Sequence, residues 1–430
     1  MLGMVEGYRG LPPLHRSLNG PPPQGFAFER ILLMITAQDL GFLPDRLERI
    51  DAFIQTKYLD TGKLPHAALL IGRGDEIAHH WTSGVAEDAI FRIMSMTKPV
   101  TSIALMQLVE AGRIALSEPV AKYIPEFKNL GVFVAGGGNT PFMSRPAATP
   151  MRVIDLMRHM AGFTYGFQER TNVDAAYRAA DLDGWAKHDN DEFVAKLAKI
   201  PLEFDPGTCW NYSVATDLLG VIVSRVSGMT LGEYFQKQIL GPLGMVDTGF
   251  VVPADQAHRL PAAYAWHPTE KMKLSDKAGT ESAWTRQHKF QSGGGGLAST
   301  VADYHRFCRM LLNGGALDDV QIISPKTLEL MTANHLPGGQ DLTHLSKSLF
   351  SEAEMAGVGF GLGFASIIDA PATMTVCSQG EFFWGGMYST AFFVDPEEDI
   401  IMIFMTQLMP SASYPIRREV KTMLYAALAA

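Results

Sequence analysis

Apolar positions recur at three- and four-residue spacing from Asp45 onward, at Leu47, Ile50, Phe53 and Ile54, and that period predicts an amphipathic helix. Two short apolar runs follow. Ala67 to Ile71, the turn Gly72-Arg73-Gly74-Asp75-Glu76, and Ile77 to Val85 read as a β-hairpin. The chain then runs through Phe91-Arg92-Ile93-Met94-Ser95-Met96-Thr97-Lys98-Pro99 into a long apolar helix, Val100 to Ala111, with Gly112 as its stop.

The middle of the chain is patterned differently. Pro119, Pro125 and Gly136-Gly137-Gly138 predict loops. Thr149-Pro150 predicts a helix start, with Thr as the cap, Pro in the first helical position and an end near Gly162. Its buried stripe is Val153, Leu156 and Met157. Residues 165–200 read as helical or irregular. A further helix carries Val214, Leu218, Leu219, Ile222 and Val226 and ends at Gly228, and Thr230-Leu231-Gly232-Glu233 is a capping box for the next. After the glycines at 293–296, Thr300 caps one helix and Ser324-Pro325 starts another.

The last third is strand-rich. Gly359 to Phe364 and Phe383 to Tyr388 lead into a hairpin of Ser389 to Val394 and Ile400 to Thr406, and Pro415 to Ala430 closes the chain as a helix. There is no internal repeat. These elements predict an α+β fold: an antiparallel sheet flanked by helices, plus a mostly helical inserted domain. The sheet draws strands from both ends of the chain, so the termini are expected close together, with the terminal helices on one face. The expected division is an arm over 1–30, a sheet domain over 31–130 and 291–430, and a helical domain over 131–290.

Composition changes this picture little. A chain of 430 residues is long for one core, 47% hydrophobic and 19% charged residues are ordinary for a globular protein, and Cys209, Cys308 and Cys377 read as buried, reduced thiols. The formal net charge of −9 argues against general nucleic-acid binding. No apolar run approaches the ~18–20 residues of a membrane span, and no secretory leader is evident, so a cytoplasmic protein is expected. No metal-ligand spacing or nucleotide fingerprint stands out; Gly359-Phe360-Gly361-Leu362-Gly363 is no phosphate cradle, and neither metal nor cofactor is expected. His79-His80 and His159 read as ordinary strand and helix residues.

The chemistry gathers at Ser95 and Lys98. Three apart at a helix start, they share one face and set an amine beside a hydroxyl, which can make serine a nucleophile. Free N–H groups at the helix start favour a developing oxyanion. Further on stand Tyr212 before a helix and the late Trp384-Gly385-Gly386. Together with Leu240-Gly241-Pro242-Leu243-Gly244-Met245 and the glycines leading into Leu297-Ala298-Ser299-Thr300, these motifs resemble the serine β-lactamase and penicillin-binding-protein superfamily. Its class C-like branch is the nearest match, and within it the family VIII carboxylesterases. The resemblance covers nearly everything from about residue 45 onward.

The resemblance implies a β-lactamase-like fold and an acyl-enzyme on Ser95, with Lys98 or Tyr212 taking the proton. A free lysine has a pKa of about 10.4, so a neutral amine near pH 7 costs about 4 kcal/mol unless its surroundings lower it. Which group is the base stays open. The oxyanion hole would be the N–H groups of Ser95 and Met387, each worth about 3–4 kcal/mol. Trp384, Gly385 and Gly386 would contact substrate, the glycines letting an edge strand approach the acyl group. The chain departs from the lactamase pattern where Tyr212-Ser213-Val214 replaces Tyr-x-Asn and Trp384-Gly385-Gly386 replaces Lys-Thr-Gly. Losing that lysine and asparagine points away from anionic peptide-like substrates towards small neutral esters, with weak β-lactam hydrolysis still compatible. The implied enzyme is a carboxylesterase; an acyltransferase, a β-lactamase or D,D-peptidase of the same fold, and a scaffold without turnover are the alternatives. No Gly-x-Ser-x-Gly elbow of an α/β-hydrolase occurs.

Overall fold

The computed structural model describes residues 35–183, 187–348 and 355–429, and the arm expected over 1–30 lies outside them. From Thr36 onward the chain forms one unit. Its frame is a seven-stranded antiparallel sheet. The strands are β1 (Ala67–Arg73), β2 (Glu76–Ser83), β3 (Val358–Phe360), β4 (Ala365–Ile367), β5 (Phe382–Gly385), β6 (Ala391–Asp395) and β7 (Ile400–Met405). Their spatial order is β3-β4-β5-β6-β7-β1-β2. β1 from the first hairpin pairs with β7, the last strand of this sheet in sequence, from Ala68↔Met405 to Arg73↔Ile400. That ladder joins the two ends of the sequence, as the pattern of strands predicted.

Five helices build the layers on this sheet: α1 (Pro44–Ile54), α2 (Thr97–Glu110), α3 (Ala215–Ser227), α4 (Val301–Leu312) and α5 (Ile416–Ala426). β7 is buried at every position, and such continuous apolar strands need cover on both faces. On the outer face, Leu69, Ile71, Met402 and Phe404 pack with Leu47, Ile50 and Ile54 of α1 and Ile416, Val420 and Leu424 of α5. The backbone of Leu43 also donates to Ala427 O, tying α1 to α5. On the inner face, Ala68, Leu70, Ile401 and Ile403 join the core that holds α2, α3 and α4. α2 is apolar and buried nearly all round, as a helix at the centre of a core must be.

Some expectations shift. The helix expected from Val100 begins at Thr97, because the 3₁₀ turn Met94–Met96 feeds straight into it. Thr149-Pro150 does not open a helix; Thr149 donates to Pro206 O, and the helix runs Val153–Met157, where Asp155 caps Arg152 N. The 131–290 segment also contains two β-hairpins, Gly131–Gly137 with Thr140–Pro146 and Ala263–His267 with Lys271–Asp276. The loop-like glycines at 136–138 form the first hairpin's tip. Both hairpins are partly exposed, so their apolar alternation is weak and the sequence pattern hid them. Of the three cysteines only Cys308 is fully buried; Cys209 and Cys377 are half-buried, and all three are free thiols.

Candidate active site

Ser95 lies in the turn Met94–Met96 at the head of α2. Met94 has φ +48°, a left-handed conformation that costs a non-glycine residue about 1–3 kcal/mol and gathers at functional sites. The turn is anchored on both sides. Phe91 and Arg92 pair with Ser299 and Ala298, and Ile93 N donates to Leu297 O. Lys98, one turn on, places Nζ 3.0 Å from Ser95 Oγ and 2.6 Å from Gly294 O.

Tyr212 comes from the extended segment before α3. Asn211 pins that segment, its backbone N donating to His159 O and its Nδ2 to Phe163 O. Gln168 holds Tyr212 O at 2.5 Å. The Tyr212 ring then packs against His159, Tyr165 and Trp384 with centroids at 5.1, 5.3 and 5.5 Å. Its hydroxyl oxygen stops 2.6 Å from Ser95 Oγ. Lys98 Nζ also sits 4.6 Å from the centre of the Tyr212 ring, where the π face favours a cation. All three side chains are buried, so their charges act in a poorly screened space.

A second layer holds Lys98. Asp217 on α3 is buried and accepts from Ser292 Oγ at 2.5 Å and Gly294 N at 3.0 Å. The peptide groups on either side of Gly294 therefore link Asp217 to Lys98. Burial pushes the Asp217 carboxyl up, while the Lys98 charge, Ser292 and Gly294 N pull it back. Only glycine fits at 294: a Cβ there would lie 2.5 Å from Asp217 Oδ2. α2 grips the same loop through Thr101, whose Oγ1 donates to Gly293 O at 2.7 Å, and Thr97, which accepts from Leu297 N.

The third motif closes the group. β5 pairs with β4 only at Phe382 and Phe383, so from Trp384 onward it has a strand neighbour on the β6 side alone. An edge strand was expected here; β5 is instead interior to the sheet, and only its end beyond Phe383 lacks a neighbour on the β4 side. Trp384 is 1% exposed and packs on Tyr212 and Phe360, so its ring chiefly shapes the wall behind Tyr212. A Cβ on Gly386 would lie 2.3 Å from Ile93 O, which is what brings this strand end against the Ser95 turn. On Gly385 a Cβ would meet the Arg417 guanidinium instead. Met387, half-buried, follows in the tight turn closed by Gly386 N donating to Thr390 O. Arg417 of α5 braces that turn, donating to Gly386 O at 2.7 Å and Thr390 O at 2.6 Å.

The architecture and this constellation agree with one family, whose model, described as Beta-lactamase, matches residues 51–426. The chain belongs to the beta-lactamase family. Protein Rv1367c of Mycobacterium tuberculosis (strain ATCC 25618 / H37Rv) is 35% identical over 329 residues, covering 76% of this chain and 79% of that protein. Esterase EstB of Burkholderia gladioli is 29% identical over 391 residues, covering 83% and 89%. The structure of EstCE1, described as a hydrolase with promiscuous acyltransferase activity, matches with a TM-score of 0.73 at 22% identity, over 90% of this chain and 99% of that one. That likeness is one of fold.

Within this family member, the two departures noted in the sequence have structural counterparts. Val214 is buried, and Ser213 turns its Oγ to His159 Nδ1 at 3.3 Å. His159 is no ordinary helix residue: it lies beyond the helix end at φ +54° and packs edge-on to Tyr212. Burial, and then Lys98, hold its pKa well below the usual histidine value, so it stays neutral. Sequence reasoning missed His159, Tyr165, Asp217 and Arg417. Asp217 alone had a readable signal, a carboxylate five positions after Tyr212 on the buried stripe of α3. Among the described residues, no group of three or more His, Cys, Asp or Glu is placed to hold a metal ion. None of the described helices is long and apolar enough to cross a membrane.

Proposed function

We propose that this protein is a serine carboxylesterase that cleaves short-chain carboxylic esters through an acyl-serine intermediate. The observation that carries the reading is the convergence of Lys98 Nζ and Tyr212 Oη on Ser95 Oγ, at 3.0 and 2.6 Å. Ser95 Oγ attacks the ester carbonyl carbon and its proton passes to the Tyr212–Lys98 pair. The carbonyl π pair moves onto oxygen, where the N–H groups of Ser95 and Met387 stabilise it. Collapse breaks the bond to the alkoxy oxygen, which leaves as the alcohol with the proton held by the pair. Water then attacks the acyl-serine by the same route and releases the acid. No cofactor, nucleic acid or membrane enters this scheme.

The choice of ester over β-lactam or peptide rests on the absence of the lysine and asparagine that would grip a carboxylate and an amide, positions held here by Trp384 and the buried Val214. EstB, named an esterase, supports the same choice. Acyl transfer to an alcohol is the second reading, favoured by the acyltransferase side activity of EstCE1. Turnover of a p-nitrophenyl acyl-ester series, with and without added alcohol, tests both. Esterase activity is expected to fall with chain length and to vanish in Ser95→Ala. Full activity in Ser95→Ala overturns the mechanism, transfer swamping hydrolysis selects the acyltransferase, and nitrocefin turnover far above ester turnover selects the β-lactamase.

A further inference from the structure

The segment that carries Tyr212 meets one residue, His159, at four consecutive positions. The His159 carbonyl accepts from Asn211 N at 2.9 Å. Its Nδ1 and Ser213 Oγ are hydrogen-bonded at 3.3 Å. Its ring meets Trp210 and Tyr212 edge-on, with centroids at 6.0 and 5.1 Å. Those two rings lie two positions apart in an extended segment and so project to one side, where the imidazole can touch both. Phe360 of β3 closes the far side of the imidazole at 5.6 Å.

The backbone at this place is strained. His159 follows the helix Val153–Met157 and has φ +54°. Glycine is the usual residue in a left-handed position after a helix, because a Cβ is unfavourable there; asparagine, aspartate and histidine tolerate it best among the others. A side chain is held here against that strain, and it is 2% exposed. Glycine would relax the backbone but leave the Tyr212 ring open on this side. An apolar ring would fill the space but take the partner from Ser213 Oγ. Burial and the Lys98 charge keep the imidazole uncharged, so it packs on Tyr212 without setting a second cation beside Lys98.

We propose that His159 is the positioning residue for Tyr212, fixing the segment Trp210–Ser213 through its carbonyl, its ring and its Nδ1 so that the phenol oxygen reaches Ser95 Oγ. This role rests on the proton path proposed for Tyr212. His159 acts through the phenol and takes no part in bond making.

The test is a double-mutant cycle on p-nitrophenyl acetate turnover by the full chain, with a thermal melt of each variant. His159→Asn removes the ring and keeps a residue that tolerates the left-handed backbone. Ser213→Ala keeps the ring and removes the anchor of its Nδ1. His159→Asn is expected to lower kcat roughly 10- to 100-fold, the effect of a ~1 Å misplacement. Ser213→Ala is expected to lower it roughly 2- to 10-fold, the worth of one neutral hydrogen bond, and to melt close to the parent. In both, KM is expected to stay within about 2-fold, because placement of the phenol acts on the chemical step. In a Tyr212→Phe background neither change is expected to lower kcat further, since no hydroxyl is left to place. A merely structural role costs the same in both backgrounds, and that additive result overturns the proposal. So does parent-like kcat in either single variant when Tyr212→Phe is impaired. Parent-like kcat in Tyr212→Phe overturns the proton path itself, and the positioning role with it. Should His159→Asn fail to fold, Ser213→Ala completes the cycle alone.

Discussion

Tyr212 Oη sits 2.6 Å from Ser95 Oγ although 117 positions separate the two residues in the chain. The contact is made by a ring fixed on several sides, by His159, Tyr165 and Trp384, and a backbone carbonyl held by Gln168. Tyr212→Phe keeps the ring and removes only the hydroxyl. Ester turnover is expected to fall roughly 10²–10⁴-fold, the span of a lost acid–base group, with the melting temperature nearly unchanged. Steady-state kinetics beside a thermal melt check this; parent-like kcat removes Tyr212 from the proton path.

Asp217 never touches Ser95, yet it acts on Lys98. Because the Lys98 charge stabilises the ionised Asp217, the ionised Asp217 must stabilise protonated Lys98 to the same extent. Asp217→Asn removes that charge, so Lys98 gives up its proton more readily. The acidic limb of the kcat/KM profile belongs to the Ser95–Lys98–Tyr212 group as a whole. It is expected to move to lower pH. A pH–rate profile of the variant decides, and a limb that stays in place or moves up contradicts the linkage.

Gly386 is where the third motif touches the Ser95 turn. An added Cβ would lie 2.3 Å from both Ile93 O and Thr390 Oγ1. Gly386→Ala is expected to push the turn away and cost about 1–3 kcal/mol of stability, as overpacking does. Phosphonate labelling of Ser95 is expected to slow as well, because the Met387 N–H moves with the turn. Chemical denaturation together with labelling rates measures both effects.

Acid is expected to destabilise the fold through its buried histidines. Burial lowers the pKa of His66 and His305 from 6.5 to about 4, and that of His159 well below 6.5. Below pH 6.5 the unfolded chain therefore takes up protons that the folded one refuses, and stability falls as pH falls towards 4. Glu381 works the other way. Its carboxyl is raised to about 7, so its share of stability is full at low pH and is lost as pH rises through 7. Melting temperatures across pH 4 to 7 are expected to rise with pH, and Glu381→Gln is expected to steepen that rise. A flat or falling profile in the parent contradicts the histidine account.

Ser95 and Lys98 were readable without coordinates from their spacing at a helix start, and Tyr212 and the Trp384-Gly385-Gly386 run stood out through the family resemblance. So were the long helices and the β6–β7 hairpin, where the apolar period is strong. The hairpins within 131–290 were not, since half-exposed strands leave little alternation to read. His159 and Arg417 were equally silent, for a different reason. Each gains its role only from what a distant element presses against it, Tyr212 and the Gly386–Thr390 turn; Asp217 showed as a carboxylate on a buried stripe, but its role too comes from a distant element, Gly294. Local order along the chain thus determined which residues can do chemistry and which segments form helices and strands. Only the pairing of β1 with β7 and the packing of α2, α3 and α5 around the glycine turns decided which of them meet. Contacts between segments far apart in sequence depend on the whole packed core, and no short-range pattern encodes them.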